Sequence, residues 1–153
     1  MANTILCPTR GGQASFPNQD RAISIAKERG ADILFLYVTN VEFLGHTPMA
    51  KVVDLETEMD EMGEFMLTMA QERAENQGVR ARTAVRRGVF REVLKDIVRE
   101  HEIQTIVLGK PSGETGSVTP EFLHDLAEDI SSTAGVELIV VDQGEVFSTY
   151  KPE

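Results

Sequence analysis

The sequence predicts an α/β fold: a single doubly wound sheet of five parallel strands in the order 3-2-1-4-5, with helices on both faces. Three observations point there. Apolar runs such as Ile33–Val38 and Thr105–Leu108 lack polar alternation, as parallel strands covered on both faces do. Segments of helical period separate the strands, so neighbours in the sheet are joined by crossovers, which are right-handed. Glycine-rich loops follow the first and fourth strands, between which such an order reverses and opens a crevice.

Taken in order, Thr4–Thr9 is a short apolar strand, and Arg10, Gly11, Gly12, Gln13, Ala14 and Ser15 form the loop after it. The first helix is expected just after Asn18, a good N-cap, with Ala22, Ile23, Ile25 and Ala26 as its apolar stripe. It should end at Gly30, behind the basic turn Lys27–Arg29. Ile33–Val38 is the second strand. The connection Thr39–Lys51 carries Phe43, Leu44, Pro48 and Met49, too apolar for a plain solvent loop and suited to a lid or an interface.

A long amphipathic helix follows over Val52–Gln77, where Leu55, Met59, Met62, Met66 and Met69 recur at steps of four and three. Such a face reads as core, although methionine also suits adaptable contacts with a partner. Val79–Val85 alternates apolar and polar residues like a half-buried edge strand. Val89 or Phe90, with Val93, Leu94, Ile97 and Val98, makes the stripe of a third helix leading into Thr105–Leu108. Phe122, Leu123, Leu126, Ala127 and Ile130 make that of a fourth, and Val136–Val141 is the fifth strand. Val146 and Phe147 form a short extension past a turn at Gln143–Gly144. With no internal repeat or linker, residues 1–153 read as one domain with its core at about 3–142.

The stretch 104–118 is the centre of the functional reading. A buried strand enters a loop with Gly109, Gly113, Gly116, Ser112, Ser117 and Lys110, and Thr119–Pro120 then supplies the N-cap and N1 of the next helix. Glycines there let backbone N–H groups turn toward an anion at the helix's positive end. The same composition would also serve a plain flexible connector. The Arg10–Ser15 loop should face it across the switch point.

A formal charge of −10 argues against nonspecific binding to nucleic acid or to anionic membranes. The acid crowds Asp54–Glu64, and the base crowds Arg80, Arg82, Arg86 and Arg87, as on solvated faces. No apolar run approaches membrane-span length, and Pro8 and Arg10 break the N-terminal apolar segment too early for a signal peptide, so a cytoplasmic location is expected. The one cysteine, Cys7, reads as a small buried strand residue. His46, His101 and His124 have no ligand spacing for a metal, and Ser15, Ser112 and Ser117 have no evident base, so no catalytic residue is nominated.

Four segments in order carry a resemblance: Ile5-Leu6-Cys7-Pro8-Thr9, Leu34-Phe35-Leu36-Tyr37-Val38, Arg87-Gly88-Val89-Phe90 and Ile106-Val107-Leu108-Gly109. Together they resemble the universal stress protein family, to about Asp142. The resemblance implies a homodimer joined through the fifth strand and the residues just after it. In the family's nucleotide-binding branch it also implies an adenine beside Val38 and phosphates on the Gly109, Gly113, Gly116 and Ser117 segment. The chain departs from that branch twice. Arg10 stands where the family's first strand usually ends in Asp, and the glycines are compressed relative to Gly-x-x-Gly followed by a later Gly-Ser/Thr. The expectation is therefore a stress-response regulatory module with a degenerate nucleotide or anion site, taking ATP, ADP or AMP, and no catalysis. The alternatives are a homodimeric interaction protein that binds no nucleotide and, less favoured, a PP-loop nucleotide hydrolase. For the last, the loop Arg10–Ser15 lacks the required acidic residue.

Overall fold

Leu6, Leu34, Ile106 and Leu138 stand side by side on four neighbouring strands, each fully buried. A computed structural model of the protein describes residues 3–9, 15–39, 49–109 and 120–151. The elements run β1 (Thr4–Pro8), α1 (Phe16–Arg29), β2 (Asp32–Thr39), α2 (Met49–Asn76), β3 (Ala81–Arg87), α3 (Phe90–His101), β4 (Thr105–Gly109), α4 (Pro120–Ala134), β5 (Glu137–Asp142) and β6 (Glu145–Tyr150). They form one sheet in the order β3-β2-β1-β4-β5-β6, parallel except for β6.

Side chains of a strand alternate between faces, so each apolar run feeds two cores. Ile5, Cys7, Ile33, Phe35, Val107 and Ile139 pack with Ala22, Ile23 and Ala26 of α1 and Leu67, Ala70 and Ala74 of α2. Leu6, Leu34, Leu36, Ile106, Leu108 and Leu138 pack with Val93, Leu94 and Ile97 of α3 and Leu126, Ala127 and Ile130 of α4. Each fully buried Leu or Ile contributes roughly 1.5–3 kcal/mol. Continuous hydrophobicity along the central strands is thus what a sheet clothed on both sides requires. Cys7 lies in the first of these cores, and burial pushes its thiol pKa up to about 12.

Three expectations need correction. The sheet has six strands, because 145–150 turn back antiparallel to β5. The turn has two central residues, Gln143 (φ 51°) and Gly144 (φ 86°), both left-handed, which suits the right-handed twist of a two-residue hairpin. The fifth strand therefore does not end the sheet.

Helix α1 begins at Phe16 rather than after Asn18, since Pro17 already fixes a helical φ in the first turn. Its end is as expected: Gly30 is left-handed, and its N–H and that of Ala31 reach back to Lys27 and Ala26 carbonyls.

On α2 the methionine face is not the core face. Gly63, Leu67, Ala70 and Ala74 are buried, whereas Met62 is 56 % and Met69 38 % exposed. Met66 is half-buried, and the side chains of Leu55 and Met59 lie outside the described residues. Small residues face the sheet because the helix lies close upon it.

Candidate functional site

β1 pairs with β2 over its whole length, through Pro8 opposite Leu36, but its ladder with β4 closes at Leu6–Ile106. β4 meanwhile stays paired with β5 as far as Gly109. Past Leu6 the two central strands therefore part at their carboxyl ends. This is the place where strand order reverses, and in open α/β sheets it is where ligands bind.

The described groups around this split come from β1, β4 and the start of α1. Thr9 continues β1 by donating its N–H to the Leu36 carbonyl (2.8 Å), and its hydroxyl accepts a hydrogen bond from Gln19 Nε2 (2.8 Å). Gln19 is only 2 % exposed, and its Oε1 is buried with no hydrogen-bond partner among the described residues. Reversing the amide exchanges the roles of its two ends and still leaves one unsatisfied. A buried polar atom in that state costs about 1–3 kcal/mol. A bound group able to meet it would recover that cost.

Gly109 ends β4 against Asn18: a Cβ at position 109 would stand 2.8 Å from Asn18 Nδ2. Asn18 Oδ1 in turn accepts from the Gly144 N–H (3.0 Å), and Arg21 Nε donates to the Gly144 carbonyl (2.6 Å). The β5–β6 turn is thus pinned to the first turns of α1 beside the split. On the other side of β1, Val38 lies two residues beyond Leu36 on β2, past the end of β1, and packs partly buried against the core under α3 and α4. Thr39 and Arg87 close this flank. The Thr39 hydroxyl donates to Asp60 Oδ1 (3.2 Å), and Arg87 Nε donates to Asp60 Oδ2 (2.9 Å).

Of the residues nominated from sequence, Val38 and Gly109 both lie at the carboxyl edge of the sheet, flanking β1. Arg10, Gly11, Gly12, Gly113, Gly116 and Ser117 lie outside the described residues, as do Ser112 and His46 and the connection 40–48. Sequence reasoning missed Gln19 and gave Asn18 the wrong role. A signal was present: Gln19 shares a helical face with Ala22, Ile23 and Ala26, so a polar side chain stood in an apolar stripe. Among the described residues no three or more His, Cys, Asp or Glu side chains gather as a metal site would require. His124 pairs with Glu128 (3.0 Å) and His101 lies 4.0 Å from Glu100, both away from the split.

A mostly parallel sheet, split between β1 and β4, is the architecture of a small doubly wound α/β domain. Residues 1–142 match the family model described as the universal stress protein family, and the chain belongs to that family. It is 29 % identical over 138 residues to a universal stress protein of Methanocaldococcus jannaschii, covering 90 % of this chain and 80 % of that one. Its fold is similar to that of the universal stress protein UspA from Lactobacillus plantarum, with a TM-score of 0.70 at 19 % identity over 91 % of this chain and 97 % of the other. A universal stress protein solved in complex with cAMP gives a TM-score of 0.64 at 18 % identity, covering 91 % and 96 % of the two chains.

Proposed function

We propose that this protein is a cytoplasmic regulatory module of the stress response, acting as a homodimer and without catalysis, that takes an adenine nucleotide or its phosphate at the split between β1 and β4. The observation that carries this reading is the parting of the two strands beyond Leu6–Ile106, with the buried Gln19 Oε1, unpartnered among the described residues, beside it. Val38 would lie near the base, and the glycine loop after Gly109 near the phosphates. The complex of a similar universal stress protein with cAMP supports the same ligand class.

The site is degenerate in this reading. Arg10 brings a guanidinium, with up to five donors in a planar fork, to a position that the resembled branch gives to Asp. That substitution and the compressed glycines favour a second reading, an interaction protein in which Arg10 fills the nucleotide's space. Thermal unfolding with and without ATP, ADP, AMP or cAMP separates the two. A nucleotide at about 100 times its Kd adds about 2.7 kcal/mol, or roughly 5–10 °C in Tm. No shift with any of them at millimolar concentration, in wild type, overturns the nucleotide reading.

A further inference from the structure

Met62, Phe65 and Met69 follow one another at steps of three and four along α2, and they are 56 %, 65 % and 38 % exposed. That spacing sets them in one row on the outer side of the helix, turned away from the buried row Gly63, Leu67, Ala70 and Ala74. Exposed apolar side chains scattered singly are ordinary, but a contiguous row is a mark of interaction. Around it stand Glu58, Glu61 and Glu72, each three or four residues from a member of the row, all exposed and none in an ion pair among the described residues. The nearest arginine on the helix, Arg73, is committed to Asp20 and to the face of the Phe16 ring.

We infer that this strip of α2 docks a basic amphipathic helix of another protein. The apolar row offers anchoring contacts at the spacing that a partner helix presents, and methionine adapts to the shape laid on it. The glutamates select for Lys and Arg on the partner's flanks and hold the register. Charge complementarity also decides against the other occupants. Two copies meeting strip to strip would press these glutamates together, and an anionic lipid surface would be repelled by them and by a chain of formal charge −10. The strip lies on the outside of one helix layer and is independent of the nucleotide reading.

The test uses the intact protein and two fluorescein-labelled leucine–lysine peptides of equal composition. One has its leucines on a single helical face; in the other they are scattered. Anisotropy at about 150 mM salt, where exposed charges are substantially screened, should show binding of the first and at least about tenfold weaker binding of the second. Met62→Ser with Phe65→Ser should weaken the first by at least about tenfold, and Glu58→Lys with Glu61→Lys should do so too. Circular dichroism should stay native in both variants, since every changed side chain is exposed. Equal binding of the two peptides, or no effect of the serine pair, would reduce the strip to a general acidic surface and overturn the proposal. So would the absence of binding. A rise in mass with concentration that the serine pair abolishes would mean that a second copy covers the strip, and that too would overturn it.

Discussion

A Cβ built on Gly63 would stand 2.6 Å from Cδ1 of Tyr37, so α2 lies on β2 as closely as a helix without a side chain allows. Exchanging glycine for alanine inside a helix ordinarily adds about 1 kcal/mol. Here the sign should reverse. The added methyl must push the ring or the helix aside, and overpacking of that kind costs about 1–3 kcal/mol. Urea denaturation of Gly63→Ala should show a lower midpoint than wild type. Tyr37→Leu should remove most of that penalty, with a coupling above about 0.5 kcal/mol between the two sites. A more stable Gly63→Ala would mean that α2 does not sit against Tyr37.

At the amino end of the sheet, Glu137 Oε1 accepts from Arg29 Nη1 (2.8 Å) and from the Thr105 hydroxyl (3.1 Å). The Arg29 hydrogen bond, outweighing the opposing effect of burial, holds the Glu137 pKa below its ordinary 4.5. A lowered folded-state pKa means that the unfolded chain binds the proton more readily. The contribution is therefore present above pH 4.5 and is lost as pH falls through the folded value. Urea midpoints followed from about pH 7 to about pH 3 should fall less steeply at the acid end in Glu137→Gln. Arg29 is partly exposed, so the loss at neutral pH should stay within about 1 kcal/mol. Parallel acid limbs in variant and wild type would rule out a role for this pair in acid stability.

Assembly is expected at the carboxyl-terminal edge of the sheet. β5 is paired on both sides, so the open edge belongs to β6, where Val146 is 51 % and Phe147 56 % exposed. An apolar edge strand invites pairing with a second copy about a two-fold axis. Sedimentation at micromolar concentration should give a dimer, and Val146→Lys with Phe147→Lys should give a folded monomer. A wild-type monomer, or a dimer indifferent to the two lysines, would sink this expectation.

Strand order could be read from the sequence because burial leaves a direct trace. The alternation of Val79–Val85 marked an edge, and the unbroken runs at Ile5–Cys7 and Ile106–Leu108 marked the middle. β6 was half legible. The turn at Gln143–Gly144 was visible, but the strand after it is mostly exposed, so its composition carries little of the core's signature. α2 misled for a physical reason. Two rows on that helix have helical spacing, and the row with large side chains is the outer one, whereas the inner one lies buried against the sheet, with Gly63 close upon Tyr37 and Ala70 and Ala74 further along. At the candidate site, Val38 and Gly109 were legible from strand ends and topology. Asn18 was not, since its partner Gly144 lies 126 residues away, and Gln19 showed only as a polar residue in an apolar stripe, with nothing local to couple it to Thr9, 10 residues away.

Asn18 ties together three segments that are distant in sequence: it sits on α1, touches the end of β4 at Gly109, and accepts the Gly144 N–H from the β5–β6 turn. Among the described residues the Asn18 side chain is what a Cβ at position 109 would meet, and the same side chain holds the turn, which makes a coupling prediction possible. Gly109→Ala would place a methyl 2.8 Å from Nδ2, and the amide cannot swing away without releasing Gly144. That variant should lose about 1–3 kcal/mol, the cost of overpacking or of an unmade bond to a partly buried N–H. Asn18→Ala should lose about as much through the Gly144 bond alone, yet it clears the space beside position 109. The two losses should then fail to add: in the Asn18→Ala background Gly109→Ala should cost little more, and the cycle should show a coupling above about 0.5 kcal/mol. Hydrogen exchange supplies a second measurement, since the Gly144 amide should exchange faster in either single variant while the central strands keep their protection. Additive losses, or a Gly144 amide equally protected in all variants, would show that Gly109 and the hairpin turn answer to Asn18 independently.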